Sequence, residues 1–199
     1  DEITFNVLSV FDRENWIKPT NRESINVALY HGSIHGCQTS QGFVIQEGED
    51  SLDIFEDFDF ALLGDIHKPQ QMDLKGRVRY AGSTIQQNFG ESINKGFLMW
   101  NIRDKYDWDC QHITIANPRP FITIDLTPAG QVPNTFVPRG CRLRIRASAN
   151  ISPMKLKAAC DYCQKKWSPY SVSFVNNGTT NSSSTSLLGK AVGAENLRD

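Results

Sequence analysis

Three short runs of nearly unbroken apolar residues, FNVLSVF at 5–11, INVALY at 25–30 and FDFALL at 58–63, most constrain what this chain can fold into. Such runs lack the alternation of a half-exposed strand, and they predict strands covered on both faces, as in a parallel sheet. Two of them end alike. One closes in Tyr30-His31-Gly32, the other in Leu63-Gly64-Asp65-Ile66-His67. On extended backbone, residues i and i+2 lie on the same side, so Asp65 and His67 are expected to face one site. His31, from the end of a neighbouring strand, would reach the same rim. A carboxylate and two imidazoles at strand ends predict half of a two-metal hydrolytic centre.

The rest of the first hundred residues is also strand-rich. Segments 77–80, 96–102 and 111–115 alternate more and predict antiparallel pairing. Residues 51–58 (SLDIFEDF) carry Leu52, Phe55 and Phe58 at roughly helical spacing, with Ser51 as N-cap. Buried parallel strands followed by antiparallel ones predict an α/β sandwich, a sheet layered with helices. Composition shifts at Asn117-Pro118-Arg119-Pro120. Beyond it the text predicts a strand at 121–126, a Pro/Gly-rich loop at 127–140 and a strand at 141–147. A helix at 154–167 follows, opened by Ser152 at N-cap and Pro153 at N1, and then a strand at 171–175. The expected division is therefore 1–117, a small basic α+β unit at 118–178, and a flexible tail or linker at 179–199, rich in Asn, Ser and Thr.

A net charge of −1 offers no global attraction for nucleic acid, and no apolar run is long enough to span a membrane. Five scattered cysteines, an odd number, do not form a secreted disulfide framework. Cys160 and Cys163 make a C-x-x-C without a second Cys/His pair, so free thiols in a reducing cytoplasm are expected, in a bacterial or phage-infected cell. The opening Asp1-Glu2-Ile3 predicts a cut within a longer polypeptide.

These residues resemble the calcineurin-like metallophosphoesterases, and more narrowly the SbcD-type and phage recombination exonuclease subunits of double-strand-break repair. Tyr30-His31-Gly32 is similar to that family's lone-His motif. Gly64-Asp65-Ile66-His67 is similar to its last motif, G-H-x-H, with Asp in place of the first His. The text around it also resembles the subfamily: Lys68-Pro69-Gln70, Tyr80-Ala81-Gly82-Ser83-Thr84-Ile85-Gln86, Asn88-Phe89-Gly90-Glu91 and Lys95-Gly96-Phe97. The resemblance covers about residues 5–102 and is only architectural from 118 to 178, where the family has a DNA-facing cap.

The resemblance implies a partial metallophosphoesterase β-sandwich layered with helices, followed by a small capping domain. It implies two divalent ions, with Mn²⁺ preferred and Mg²⁺ allowed, His67 holding one and His31 with Asp65 the other. An Asp is a competent hard ligand at that position. Ser83 and His35 would support the ligands or phosphates from just outside the site. The motifs that supply the bridging Asp and further ligands in the family are missing, so the chain alone is expected to have little nuclease activity. DNA, a coiled-coil ATPase subunit and a homodimeric arrangement are the implied partners, with no membrane.

Arg142, Arg144 and Arg146 alternate with Leu143, Ile145 and Ala147, which makes one strand face cationic. That face fits DNA phosphates, or equally a solvated surface whose Arg stems cover apolar atoms. Two other readings stay open. A metallophosphatase on small phosphoesters or nucleotides would share the ligands, and a non-catalytic DNA-binding or scaffolding protein would carry a degraded metal site.

Overall fold

A computed structural model describes residues 2–147 and 151–176. The expected tail at 179–199 lies outside the described residues. The chain divides into two compact units, 1–116 and 117–199.

The first unit is built on a five-stranded sheet in the order β1-β2-β3-β5-β4, from β1 (Ile3–Leu8), β2 (Ile25–His31), β3 (Phe60–Gly64), β4 (Gln70–Gln71) and β5 (Val78–Tyr80). β1, β2, β3 and β5 are parallel neighbours and β4 is antiparallel to β5. β2 is an interior strand covered on both faces, as the sequence predicts, and is buried almost residue by residue. On one face Ile25, Val27 and Phe60 pack with Trp100, Ile102 and Trp108. These belong to an antiparallel hairpin of β6 (Gly96–Ile102) and β7 (Trp108–Thr114). On the other face Ala28, Tyr30, Ala61, Leu63 and Tyr80 pack with Ile34, Cys37, Phe55 and Ile66. Each aliphatic side chain buried this way contributes about 1.5–3 kcal/mol.

Two expectations for this unit need correction. β1 is not covered on both faces: Ile3, Phe5 and Val7 are exposed, because β1 is the sheet edge and the hairpin packs over β2 and β3 instead. Residues 51–58 form no α-helix. A short 3-10 turn spans Leu52–Phe55, and the Ser51 hydroxyl bonds the Asp53 carboxylate instead of capping the backbone. The fold is mixed α/β and mostly strand. Among the described residues of the first unit, the only helical pieces are this turn and another at Arg13–Asn15.

The second unit is a parallel three-stranded sheet in the order β10-β9-β8, from β8 (Phe121–Asp125), β9 (Arg142–Ala147) and β10 (Ser171–Asn176), with α1 (Pro153–Trp167) linking β9 to β10. The Ser152 side chain accepts the Lys155 N–H, Pro153 occupies the first turn, and the helix stops at Ser168 in the left-handed region. Ile124, Leu143 and Ile145 of the sheet pack against Ala159, Cys163 and Trp167 of the helix. All five cysteines are free. Among the described residues, no helix is long and apolar enough to cross a membrane.

Candidate metal centre

Parallel pairing puts the carboxyl ends of β2 and β3 side by side, with His31 opposite Gly64. That edge is where open α/β sheets place their ligands. A side chain at 64 would collide with the imidazole, since a Cβ built there lies 2.6 Å from His31 Nδ1. Gly64 therefore lets the ring lie across the end of β3. Asp65 follows with a φ of 84°, a left-handed conformation that costs a non-glycine residue about 1–2 kcal/mol. The result is His31 Nε2 3.8 Å from Asp65 Oδ1, the side chains 80% and 48% exposed. That separation is too long for a hydrogen bond. At metal–ligand distances of about 2.1 Å two donors that far apart would subtend about 130° at one ion, wider than a tetrahedral or neighbouring octahedral angle, so the exposed side chains would have to rotate to share it. The carboxylate suits Mn²⁺ or Mg²⁺, whereas an imidazole is the donor more typical of Zn²⁺ or Fe²⁺.

The loop leaving β2 is fixed from below. Tyr80, fully buried, accepts a hydrogen bond from the Ile34 N–H at 2.8 Å and donates one to the Gly32 carbonyl at 2.7 Å. Burial pushes its hydroxyl pKa well above the usual tyrosine value, so it remains a donor. Tyr30 donates to Asp50 at 2.8 Å, and Asp50 also takes the Arg13 guanidinium at 2.9 Å. Gly32 sits among these groups, where a Cβ would meet Glu49 Oε2 at 2.6 Å and the Tyr30 hydroxyl at 2.7 Å.

The positive φ at Asp65 breaks the extended backbone on which the i/i+2 expectation for His67 rests, Ile66 turns into the core, and the His67 ring joins a network around Glu91. Its Nδ1 lies 3.1 Å from Glu91 Oε1. Asn88 Nδ2 donates to the same oxygen at 3.1 Å, while Lys95 Nζ at 2.9 Å and the Gln87 N–H at 3.1 Å reach Oε2. Lys95 also donates to the His67 carbonyl at 2.8 Å. Burial pushes the Glu91 carboxyl up, and the bonds from Lys95, Gln87 and His67 more than offset it, leaving its pKa below the ordinary glutamate value. Among the described residues no three His, Cys, Asp or Glu side chains gather into a metal-holding group. The structure thus brings His31 near Asp65 and sets His67 against Glu91.

Ser83 lies in the strap between β5 and β6, its hydroxyl buried with no hydrogen-bond partner among the described residues. His35 is exposed, and its backbone N–H bonds the Asp50 carbonyl at 2.9 Å.

In the second unit Arg142, Arg144 and Arg146 share one face of β9, as alternation predicts. They are not equivalent. Arg146 makes a two-pronged pair with Asp125, its register partner on β8, and that pair holds the Asp125 carboxyl below its usual range. Arg142 instead lies over the rings of Phe121 and Tyr170, at 4.9 and 5.6 Å, and Arg119 stacks on Tyr170 at 4.2 Å.

Sequence reasoning assigned no role to Glu91, Lys95, Tyr80 or Arg119. The signals available were the runs Asn88-Phe89-Gly90-Glu91 and Lys95-Gly96-Phe97 singled out in the sequence, and the four-residue spacing of Glu91 and Lys95.

No known protein family's profile matches the chain. The chain is 31% identical over 153 residues to a protein of Acanthamoeba polyphaga mimivirus described as uncharacterized protein R555; the match covers 71% of the chain. The chain spans about a tenth of that protein's length, 11%.

Proposed function

We propose that this chain is part of a metal-dependent DNA nuclease of the recombination and repair type, in which divalent ions, Mn²⁺ by preference or Mg²⁺, act on phosphodiesters. The observation that carries the reading is the His31–Asp65 pair, 3.8 Å apart at the shared carboxyl edge of β2 and β3. An ion held there would act as Lewis acid and lower the pKa of bound water. His31 would supply an imidazole nitrogen and Asp65 a hard carboxylate oxygen, with Gly64 and the Tyr80-braced loop holding the strand ends that carry them. His67 is the residue for a second ion. Two-ion chemistry needs donors beyond the His31–Asp65 pair, and these would come from other parts of the natural protein or from a partner. A coiled-coil ATPase subunit and a second copy of the nuclease complete the proposed assembly, with a cytoplasmic location. Arg142 and Arg119 are the candidate phosphate contacts; Arg146, neutralised by Asp125, contributes less.

The test is hydrolysis by the protein at its full natural length, with Mn²⁺, of duplex DNA and of p-nitrophenyl phosphate. Cleavage of DNA that is lost in His31→Ala supports the reading. Cleavage of the small ester alone would favour a metallophosphatase. DNA binding that persists in chelator, with no cleavage of either substrate, would favour a scaffolding protein.

A further inference from the structure

Glu91 and Lys95 are a fully buried ion pair, each side chain 2% exposed, in a strap that is otherwise polar and open. Burying two charges costs several kcal/mol per ion before their attraction and hydrogen bonds offset it, so the pair calls for a physical reason. Its partners supply one. Three donors, from Asn88, Lys95 and Gln87, and the His67 Nδ1 surround the Glu91 carboxylate, two groups on each oxygen. A carboxylate beside a lysine ammonium and two amide donors is an acceptor only. The His67 nitrogen facing it must therefore be the N–H.

We propose that Glu91 and Lys95 are positioning residues for His67, which fix the imidazole as the Nδ1–H tautomer and present the Nε2 lone pair outward as a metal ligand. Glu91 holds the ring, and Lys95 holds both Glu91 and the His67 carbonyl, so residue 67 is restrained at its side chain and its backbone. The side chain is 39% exposed, so the network does not enclose the ring. A carboxylate on one imidazole nitrogen sets which nitrogen is left to a metal, and such partners are worth about 10–100-fold in metal affinity. Gly82, at φ 77°, closes the arrangement: a Cβ there would meet Pro69 N at 2.9 Å and the His67 carbonyl at 3.2 Å. The strap can approach residue 67 this closely because 82 is glycine.

The proposal rests on the metal reading for its purpose, yet it can be tested without metal. The experiment is long-range ¹⁵N–¹H correlation of the imidazoles in the metal-free chain, at a pH where histidine is neutral. The wild type should show His67 protonated on Nδ1, the tautomer an unconstrained imidazole disfavours. Glu91→Ala should move it to Nε2–H, and Glu91→Gln, whose amide oxygen can still accept, should retain part of the Nδ1–H form. An Nε2–H tautomer in the wild type overturns the proposal whether or not any variant folds, as does a spectrum unchanged in a folded Glu91→Ala chain. Mn²⁺ titration by calorimetry forms a separate arm. Unchanged Mn²⁺ affinity in His31→Ala and His67→Ala would defeat the metal reading while leaving the tautomer result intact.

Discussion

Replacing Tyr80 with Phe removes one oxygen and two hydrogen bonds from the floor of the candidate site. The Tyr80 hydroxyl is the acceptor for the Ile34 N–H and the donor to the Gly32 carbonyl, at 2.8 and 2.7 Å. Tyr80 and Ile34 are fully buried and Gly32 is buried too, so water cannot replace the hydroxyl without opening the loop. Each stranded polar group costs about 1–3 kcal/mol. The expected loss is therefore about 2–6 kcal/mol, with little change in apolar packing because the ring stays. At a mid-range urea m-value of about 2 kcal/mol per molar, the unfolding midpoint of the first unit should fall by roughly 1–3 M. Amide exchange across residues 32–36 should rise at least as much as the global loss requires. Because Gly32 follows His31 directly, metal affinity should weaken in the same variant. A midpoint within about 0.3 M of wild type at unchanged m, with residues 32–36 still protected, would refute the claim that this hydroxyl braces the His31 loop.

Gly64→Ala is a cleaner probe of the site, since Gly64 needs no positive φ. The new methyl must push His31 Nδ1 from 2.6 Å to at least the 3.4 Å of ordinary contact, so the His31 imidazole resonances should shift and Mn²⁺ affinity drop while the circular dichroism spectrum stays native. In the second unit, Asp125 should titrate below an ordinary aspartate and Arg146→Met should restore the usual value, as followed by carboxyl-carbon NMR. The sign follows from the depressed folded pKa: any stability from this pair is present above the unfolded aspartate value and is lost as pH falls through the folded one. The effect should be small, because both side chains are largely solvated.

Residues whose environment is set by their own segment were legible in the sequence. The continuous apolar text of 25–30 and 58–63 specified buried parallel strands, and Ser152-Pro153 marked the start of α1. Segment 51–58 failed for a local reason too: Ser51 found a side-chain partner in Asp53, and the turn stayed 3-10. What could not be read depended on distant contacts. Nothing in Gly64-Asp65-Ile66-His67 announces a φ of 84° at Asp65, a dihedral that breaks the extended run on which the expected shared facing of Asp65 and His67 depends. The burial of Glu91 and Lys95 could not be read either, because only the folded strap brings them against His67. The alternation of Arg142, Arg144 and Arg146 was visible, whereas the neutralisation of Arg146 by Asp125 required the β8–β9 register.

On the function proposed above, the edge shared by β2 and β3 holds a divalent cation through His31 and Asp65. Calorimetric titration of Mn²⁺ into the wild-type chain and into His31→Ala, Asp65→Ala and His112→Ala measures this, with His112 on β7 as the internal control. Losses of about tenfold or more in affinity for the first two variants, with His112→Ala indistinguishable from wild type, are the predicted result. Equal affinity in all four proteins, or no Mn²⁺ binding at all, would contradict it.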